Sequence, residues 1–443
     1  MKNLAKFFKF EERNTTMKIE LIAGLTTFMT MAYVLVTQPG AICGFGPDPG
    51  VVDVAGVMVT KEAITVLTAL ISGIITLLMA FYANFPFALS TGMGTNFVLG
   101  SLVQSGSLSY AAAMTIILIS GIVFVVLSVF GIRDLIVRMI PKNIKVAIST
   151  SIGFFIGYLG LSNSGICDFS SGLSIGNFKD KTVLLALAGL LIIGVLTAFK
   201  VKGAILIGIV VITIIGIPLG VTTLPGQVAK IPDMSSIGDV IFHFDLKSVI
   251  NAEGIILMFI AFFGDFFSTL GTVLAVGGRA HMLDENGNLP GIEKPFLVDA
   301  IGTVVGACFG CTTITTYVES TSGVEAGGRT GMTALTTGVL FLIFIFFSPL
   351  ALMVPNAATG PALIFVGFLM IQGVKDIDFS DFTEAFGPFV MIMFGTFSAS
   401  IAVGIAAGIL ADILIKVCTG KFKQVHWGMY ILAIPLVLYF ILG

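Results

Sequence analysis

Two carboxylates lie inside strongly apolar stretches of this sequence. Asp265 stands in AFFGDFFSTLGTVLAV, residues 261–276, and Glu319 stands in TTITTYVESTSGVEAGGRTG, residues 312–331. A carboxylate can accept parallel hydrogen bonds from neighbouring N–H groups of a ligand, or it can bind and release a proton. We therefore predict a binding site built on these two acids, in which Glu319 recognises the ligand and the desolvated Asp265 exchanges a proton.

Hydroxyl side chains accompany both acids. Ser268, Thr269 and Thr272 follow Asp265 closely, and Glu319 lies in a run of threonines and serines. The alternative for each acid is a structural carboxyl that is only hydrogen-bonded to these hydroxyls. An ionisable side chain inside a long apolar segment is costly to bury and is usually functional, which favours the binding site. The other acids of the apolar segments stand nearer to segment ends, where we expect packing or snorkelling: Glu20, Asp299, Glu325 and Asp412.

The composition indicates which elements position these acids. Of 443 residues, 56% are hydrophobic and 11% are charged, and the mean hydropathy is +1.06. A soluble globule could not cover so many apolar side chains, so the sequence predicts an all-α polytopic membrane protein whose partner is the lipid bilayer, not a soluble enzyme or a nucleic-acid-binding protein. Stretches long enough to cross about 30 Å of hydrocarbon recur along the chain. We predict fourteen transmembrane segments, at 18–38, 62–82, 86–104, 109–131, 143–163, 182–199, 203–221, 254–275, 295–310, 312–328, 331–353, 359–374, 382–398 and 400–417.

The distribution of basic residues predicts the orientation. With fourteen crossings and a cytoplasmic N-terminus, most of the 23 lysines and arginines fall on the cytoplasmic side, as the positive-inside rule requires. The expected location is the plasma membrane. A further apolar piece, residues 427–442, follows the basic stretch KFKQVH, and we expect it to lie along the interface or as a short re-entrant piece.

Two halves of seven segments resemble each other weakly. SIGFFIGYLGLSNSG at 151–165 is similar to ALIFVGFLMIQGV at 362–374, and KGAILIGIVVITIIG at 202–216 is similar to SIAVGIAAGILADIL at 400–414. Because seven is odd, the second half must be inverted in the membrane. Inverted repeats with interrupted helices are typical of secondary transporters, which bind substrate where the interruptions meet.

The third segment of each half is the candidate interruption. PFALSTGMGTNFVLG at 86–100 and the stretch 312–331 combine β-branched, hydroxyl and glycine residues, a poor composition for a continuous lipid-facing helix. We predict a short extended stretch followed by a half-helix in segments 3 and 10. Backbone groups freed at this depth must find partners in the protein or line a cavity.

The residue types around the acids favour a neutral ligand. No lysine or arginine stands in the interior of a segment, so only helix ends could offset an anion. A neutral heterocycle with N–H donors suits the carboxylates, and the phenylalanines beside Asp265 offer faces for stacking. An intramembrane enzyme is a further alternative, but the sequence carries no His-Glu-x-x-His, Gly-x-Ser-x-Gly or phosphate-binding glycine motif, and it predicts no metal or cofactor.

Six blocks carry a resemblance to a known family. They are LTTFMTMAYVLVTQPGAI at 25–42, GMGTN at 92–96, GDFFSTLGT at 264–272, DAIGTVVGACFG at 299–310, TTYVESTSGVEAGGRTGMTA at 315–334 and PALIFVGFLM at 361–370. In these blocks the chain resembles the nucleobase:cation symporter-2 (xanthine/uracil permease) superfamily, and within it the AzgA-like branch of adenine, guanine and hypoxanthine permeases. The blocks extend from the first segment to the twelfth, and the block around Glu319 is long and specific.

The resemblance implies fourteen segments in 7+7 inverted repeats, usually in a homodimer. A core domain, residues 1–135 (segments 1–4) and 251–355 (segments 8–11), would carry substrate past a gate domain. The gate would comprise residues 136–250 (segments 5–7) and 356–443 (segments 12–14 and the C-terminal segment). The implied function is import of adenine, guanine, hypoxanthine or xanthine by proton symport, through an elevator-type alternating-access movement. The alternative is an anion transporter, sulfate- or bicarbonate-like, on the same 7+7 fold.

The resemblance also implies a set of site residues. Asn96, Asp265 and Glu319 would contact the purine, and the backbone around Tyr317 and Val318 would contribute. Proton coupling would fall to Asp265 and Glu319.

Two positions depart from the family pattern. Ser268 stands where the family usually carries a second acid, and Gln38 precedes Pro39 where the family usually has Asn-Pro. Ser268 lies three residues after Asp265, about 300° around a helix, so we expect it to border the site and to bind substrate. Because a serine cannot carry a proton, this departure affects the coupling ion, a proton or another cation, and the preferred base.

Overall fold

The computed structural model describes residues 2–45, 48–130, 141–168, 174–233, 237–284, 289–398 and 401–442. The helices in these ranges are α1 (Lys2–Phe7), α2 (Met17–Met31), α3 (Val34–Cys43), α4 (Lys61–Leu78), α5 (Met93–Gln104), α6 (Tyr110–Val129), α7 (Lys142–Asn163), α8 (Lys181–Ala198), α9 (Ala204–Leu219), α10 (Ala252–Arg279), α11 (Glu293–Cys308), α12 (Ser320–Glu325), α13 (Gly331–Phe344), α14 (Ser348–Leu352), α15 (Asn356–Ile371), α16 (Phe382–Phe397), α17 (Ile401–Cys418) and α18 (Trp427–Leu442). The strands are β1 (Gly50–Val52), β2 (Met58–Thr60), β3 (Leu89–Thr91), β4 (Cys167–Asp168), β5 (Ser174–Ile175) and β6 (Ile314–Thr316).

Polar caps begin many of these helices. Each capping side chain accepts a hydrogen bond from a backbone N–H in the first helical turn, which satisfies a donor that the helix itself leaves unpaired. The capping residues are Thr16, Thr60, Ser109, Asp180, Asn251, Thr330 and Asp381.

Many of the helices have the length and composition of membrane spans. In the described ranges, eight helical runs are long and apolar enough to cross a membrane: Met17–Cys43, Lys61–Ala83, Tyr110–Val129, Lys142–Asn163, Lys181–Ala198, Glu253–Arg279, Gly331–Leu352 and Asn356–Asp376. Helices α9 and α16 are shorter apolar helices of 16 residues each. The predicted multi-pass helical fold is confirmed in this coarser form, and the count of fourteen segments stays a prediction.

The two stretches predicted to be interrupted, 86–100 and 312–331, each contain a strand followed by a helix. Strands β3 and β6 pair antiparallel, with Leu89 opposite Thr316 and Thr91 opposite Ile314. Helix α5 follows β3, and the short helix α12 follows β6. All three residues of each strand are buried, so the two strands satisfy part of each other's backbone inside the protein.

Threonine side chains close the two outer edges of this ladder. The hydroxyl of Thr76, on α4, accepts a hydrogen bond from Leu89 N at 3.0 Å and donates to Leu89 O at 3.1 Å. The hydroxyl of Thr303, on α11, accepts from Ile314 N at 3.2 Å. A hydroxyl can both donate and accept, so one threonine on each side replaces a missing strand.

The helices pack in two groups. In the first, α13 packs against α2 and α4, and α11 packs against α6. In the second, α15 packs against α7, α8 and α9, and α16 packs against α7 and α17. Helix α10 contacts both groups, through α6 and through α7. The division of the chain into a core domain and a gate domain, and their relative movement, stay predictions.

Helices α7 and α15 approach closely at glycines. A Cβ atom on Gly153 would lie 2.9 Å from the carbonyl oxygen of Gly367, and one on Gly367 would lie 2.6 Å from the carbonyl oxygen of Gly153. Both distances are too short for a methyl group, so side chains here would force the helices apart. This close packing fixes the helices that border the site.

The N-terminal segment braces the loops that lead to the interrupted segments. Phe8 and Phe10 are buried against Met332, near the start of α13. The guanidinium of Arg13 donates hydrogen bonds to the backbone oxygens of Asn84 at 3.0 Å and Arg329 at 2.8 Å. These oxygens belong to the loop before β3 and the loop after α12, so one side chain ties together the two halves of the repeat.

A buried cation corrects the sequence analysis, which expected none within a segment. Lys416, on α17, is only 2% exposed, and its Nζ lies 3.1 Å from Asp412 Oδ1 and 3.0 Å from Glu384 Oε1. Asp412 therefore has the packing role that the sequence suggested. The two carboxylates offset the cost of burying the ammonium, and they leave little positive charge for an anionic ligand.

The C-terminal helix α18 packs on the bundle. It contacts α17 and α10, and it buries Met429 and Leu436 while much of its outer face is exposed. Its placement relative to the bilayer stays a prediction.

We predict that Glu20→Gln destabilises the fold. The buried Glu20 carboxylate accepts hydrogen bonds from Arg329 N at 2.9 Å, Thr333 N at 3.1 Å and Thr333 Oγ1 at 2.6 Å, where α13 begins. An amide would turn one acceptor into a donor that faces other donors, at a cost of about 2 kcal/mol. Thermal unfolding in detergent should show a midpoint lowered by several degrees.

The matched control is Glu325→Gln. That carboxylate lies on the surface and pairs with Arg279 at 3.4 Å, where both side chains are more than half exposed. Exposed pairs contribute little, so its midpoint should stay near that of the wild type. Equal midpoints for the two variants would show that Glu20 does not hold α13 in place.

Candidate functional site

A cavity of about 490 Å³ lies where the β3–β6 ladder meets α10, α7 and α15. Its lining includes residues of α10 from Ile260 to Ala275, the start of α5, and the stretch from Thr313 to Glu319. The first turn of α7 and the end of α15 also contribute, and further lining residues are Tyr33, Ile152, Gly373, Asp376 and Ile405. This volume falls in the range of small-molecule sites, which is roughly 300–1,000 Å³.

Asp265 is enclosed in the wall of this cavity. Its side chain is 4% exposed, and its Oδ2 accepts a hydrogen bond from the Thr303 hydroxyl at 2.7 Å. Its Oδ1 has no hydrogen-bond partner among the described residues. A buried polar atom without a partner is costly, so this oxygen is an acceptor available to a ligand.

Asp299 is a further buried acid that the sequence analysis assigned to packing. Its Oδ2 accepts from the Thr269 hydroxyl at 2.8 Å, and its Oδ1 accepts from Thr316 N at 2.7 Å and Thr316 Oγ1 at 3.0 Å. The Thr269 hydroxyl also lies 2.8 Å from that of Thr315, which lines the cavity. Asp299 is thus linked to the cavity wall through two hydroxyls.

Glu319 immediately precedes helix α12, as predicted. It is half-buried in the cavity wall, and its Oε1 accepts a hydrogen bond from the Tyr33 hydroxyl at 2.7 Å. Tyr33 lies in the turn between α2 and α3 and also lines the cavity. Tyrosine therefore orients this carboxylate, a partner that the sequence analysis missed because it lies 286 positions away.

Tyr317, Val318 and Ser268 also line the cavity. The Tyr317 hydroxyl donates to the Thr91 carbonyl oxygen at 2.5 Å, which holds the ring against the ladder. The Val318 side chain is 41% exposed. Ser268 is half-buried on the cavity side of α10, as its spacing from Asp265 predicted. The structure thus brings five of the six candidate residues to one cavity.

Asn96 is the candidate that the structure leaves out of the cavity lining. It is fully buried, its Nδ2 donates to Gln38 Oε1, and its Oδ1 accepts from the Thr312 hydroxyl. Gln38 Nε2 in turn donates to Thr312 Oγ1 at 3.4 Å. These three side chains form a closed triangle beside the ladder, so the amide of Asn96 is occupied by protein partners. In this arrangement Asn96 contacts Gln38 and Thr312 beside the ladder and does not face the cavity.

The phenylalanines beside Asp265 correct the expectation of stacking. Phe266 is fully buried and packs, together with Phe262, against Phe124. Neither of them lines the cavity in the part of the chain that the structure describes. The aromatic faces at the cavity belong instead to Tyr33 and Tyr317. The sequence could not show which side of α10 faces the cavity, because that helix is apolar around much of its circumference.

Two lysines line the cavity at the first turn of α7. Lys142 is exposed and Lys145 is half-buried. They share the lining with Asp265, Glu319 and Asp376, so carboxyls outnumber ammonium groups there.

An ion pair lies outside the membrane-spanning helices, before α16. Hydrogen bonds from Lys421 and Thr383 lower the pKa of Asp381 to about 2. This group stays charged at all physiological pH values.

Solved structures share this fold. One is the transmembrane domain of the cyanobacterial bicarbonate transporter BicA, with a TM-score of 0.59, 19% identity, and coverage of 88% of this chain and 97% of that chain. Another is the murine anion transporter Slc26a9 in the inward-facing state, with a TM-score of 0.61, 12% identity, and coverage of 90% and 68%. At these identities the likeness shows the fold alone.

The family described as "Permease family" (Xan_ur_permease) matches residues 18–410. A putative permease of Methanocaldococcus jannaschii is 40% identical over 100% of this chain and 99% of its own. The adenine permease AdeQ of Escherichia coli is 36% identical over 97% of this chain and 94% of its own, and the guanine/hypoxanthine permease PbuG of Bacillus subtilis is 36% identical over 98% and 99%. With a family match over most of its length and permeases aligned along almost the whole of it, this chain belongs to the xanthine/uracil permease family.

Proposed function

We propose that this protein imports purine nucleobases together with protons. The observation that carries the proposal is the cavity in which Asp265 Oδ1 has no hydrogen-bond partner among the described residues and the Glu319 carboxylate accepts from the Tyr33 hydroxyl. Two carboxylates of this kind suit a neutral ring that carries several N–H donors. The names of the relatives, adenine permease and guanine/hypoxanthine permease, support the same ligand class.

In this proposal the two acids have different roles. Glu319 lies at the start of α12 and faces the cavity, where it accepts hydrogen bonds from the base, with Tyr317, Val318 and Ser268 as its neighbours. Asp265 is enclosed and exchanges the proton. The contacts of Asp299 with Thr269 and Thr316 extend this arrangement, because they place a second carboxyl within two hydroxyls of the cavity.

The proposed movement is an elevator-type displacement of the core past the gate. The cavity lies between α10, which belongs to the proposed core, and α7 with α15, which belong to the proposed gate. Its lining includes Lys142, Lys145 and Asp376, at helix ends that the basic-residue distribution assigns to the cytoplasm. We therefore propose that this conformation faces inward, in a homodimer of fourteen-segment subunits with a cytoplasmic N-terminus in the plasma membrane.

Anion transport is the second candidate. Solved structures of the same fold include a bicarbonate transporter, and Lys142 and Lys145 line the cavity. Against it stand the two acids of the cavity wall, Asp265 and Glu319, whose negative charge opposes an anion. Lys416 does not change this balance, because Asp412 and Glu384 already pair with it.

Counterflow in proteoliposomes tests the proposal. Vesicles loaded with unlabelled hypoxanthine should accumulate labelled hypoxanthine, guanine or adenine. Glu319→Gln should abolish this exchange, because an amide cannot accept hydrogen bonds at both of its polar atoms. Asp265→Asn should retain some exchange while losing accumulation driven by a pH gradient, because the amide side chain of asparagine does not bind or release a proton.

Each assignment has its own contrary result. Full exchange by Glu319→Gln would remove Glu319 from the recognition of the base. Accumulation driven by a pH gradient in Asp265→Asn would remove Asp265 from coupling. Uptake of sulfate or bicarbonate by the wild type, without uptake of bases, would replace the proposed function with the second candidate.

Ser268→Asp tests the departure from the family pattern. The serine is half-buried in the cavity wall, one helical turn from Asp265, so an aspartate there can reach water or ligand without disturbing the fold. A second carboxyl beside Asp265 should raise the proton affinity of the pair, and we expect a changed pH profile or a changed preference among adenine, guanine, hypoxanthine and xanthine. Uptake measured from pH 5 to pH 9 with each base would show it. An unchanged profile together with an unchanged preference would mean that Ser268 takes no part in binding.

A further inference from the structure

Two buried polar atoms of the cavity lining lack a hydrogen-bond partner in the described part of the chain. One is Asp265 Oδ1, which the proposed function uses. The other is the hydroxyl of Thr313, a residue that is only 1% exposed. The remaining buried atoms without partners belong to residues outside the lining. An unsatisfied hydroxyl inside a binding cavity indicates that its partner arrives with the ligand.

Thr313 is held rigidly beside the end of the ladder. Its carbonyl oxygen accepts a hydrogen bond from Gly92 N at 2.8 Å, which extends the β3–β6 pairing by one residue. A Cβ atom on Gly92 would lie 2.5 Å from the Thr313 hydroxyl oxygen. Glycine at this position therefore leaves room for the hydroxyl, and both residues line the cavity.

The Thr313 hydroxyl donates no hydrogen bond within the described part of the protein, so its proton is available to a ligand. Four other enclosed hydroxyls of the lining already contact protein acceptors: Tyr33 donates to Glu319, Thr316 to Asp299, Tyr317 to the Thr91 carbonyl, and Thr315 lies against Thr269. The carboxylates of the site, when charged, only accept. A purine also carries acceptors, its ring nitrogens and any carbonyl oxygen, and these need a donor from the protein.

We propose that the Thr313 hydroxyl binds the acceptor edge of the base and is a further substrate-binding residue of this site. The ring then lies between two kinds of partner, with its N–H groups toward the carboxylates and a ring nitrogen or carbonyl oxygen toward Thr313. Since a hydroxyl donates equally to either acceptor, this contact serves 6-oxo and 6-amino purines alike. The inference rests on the proposed function, because it assigns a contact within the same site.

The test compares two replacements of Thr313 by counterflow in proteoliposomes. Thr313→Val keeps the shape of the side chain and removes the hydroxyl, and Thr313→Ser keeps the hydroxyl and removes the methyl. We expect the valine variant to raise the half-saturation concentration for hypoxanthine and adenine about tenfold, a typical cost for one lost hydrogen bond in a buried site. The serine variant should stay within about threefold of the wild type.

A matched control removes an equally unpaired hydroxyl elsewhere. Thr222 is 5% exposed, its hydroxyl also lacks a partner in the described structure, and it does not line the cavity. Thr222→Val should leave the half-saturation concentrations unchanged. If Thr313→Val does not purify as a monodisperse protein, Thr313→Ala takes its place with the same expectation.

The outcomes separate this inference from the proposed function. Counterflow by the wild type with equal half-saturation concentrations in the valine and serine variants would overturn the role of Thr313 and leave the proposed function standing. An equal loss in both variants would assign the effect to packing and also overturn it. Absence of counterflow by the wild type would overturn the proposed function and this inference together.

Discussion

The antiparallel pairing of β3 with β6 is the interaction on which the rest of the site depends. Two strands of three residues, drawn from opposite halves of the chain, meet inside the protein, where water cannot satisfy their backbone groups. Along their shared edge, the backbone groups of the two strands form hydrogen bonds with each other. Thr76 and Thr303 supply partners on the two outer edges, at related places in the two halves. Without those hydroxyls, a two-stranded ladder at this depth would leave buried donors unpaired.

The ladder also determines where the side chains of the site can be. A helix must stop for a strand to form, and a new helix, α5 or α12, begins within a few residues of each strand. The cavity lies beside these strand-to-helix junctions. Its wall therefore combines strand-end residues such as Thr313 and Tyr317 with the carboxylate of Glu319, which precedes α12. Arg13 stabilises the same region, because its guanidinium joins the loop before β3 to the loop after α12.

Local composition predicted the interruptions and much of the site, and long-range contacts explain what it missed. Threonine and serine residues next to glycines are a poor composition for a continuous helix, so the extended stretches around Ser90 and Thr315 could be predicted. The spacing of Ser268 from Asp265 is likewise a local property. Asp299, by contrast, depends on Thr269 and Thr316, which lie 30 and 17 positions away. The orientation of Phe266 depends on packing against α6 and α11, and no periodicity along α10 reports that.

Several acids inside this protein differ in their hydrogen-bond partners, and the difference bears on how a proton could accompany a substrate. Asp412 lies against the ammonium of Lys416, and protonation of this carboxylate would leave a buried cation with fewer counterions. Asp265 and Glu319 have hydroxyl partners instead, whereas Asp299 combines hydroxyl partners with the backbone N–H of Thr316. A hydroxyl donates to a carboxylate and can turn to accept from a carboxylic acid, so it stabilises both states. An acid held by a hydroxyl, such as Asp265 or Glu319, can gain or lose a proton with only a rotation of that hydroxyl, while the ladder beside it stays unchanged.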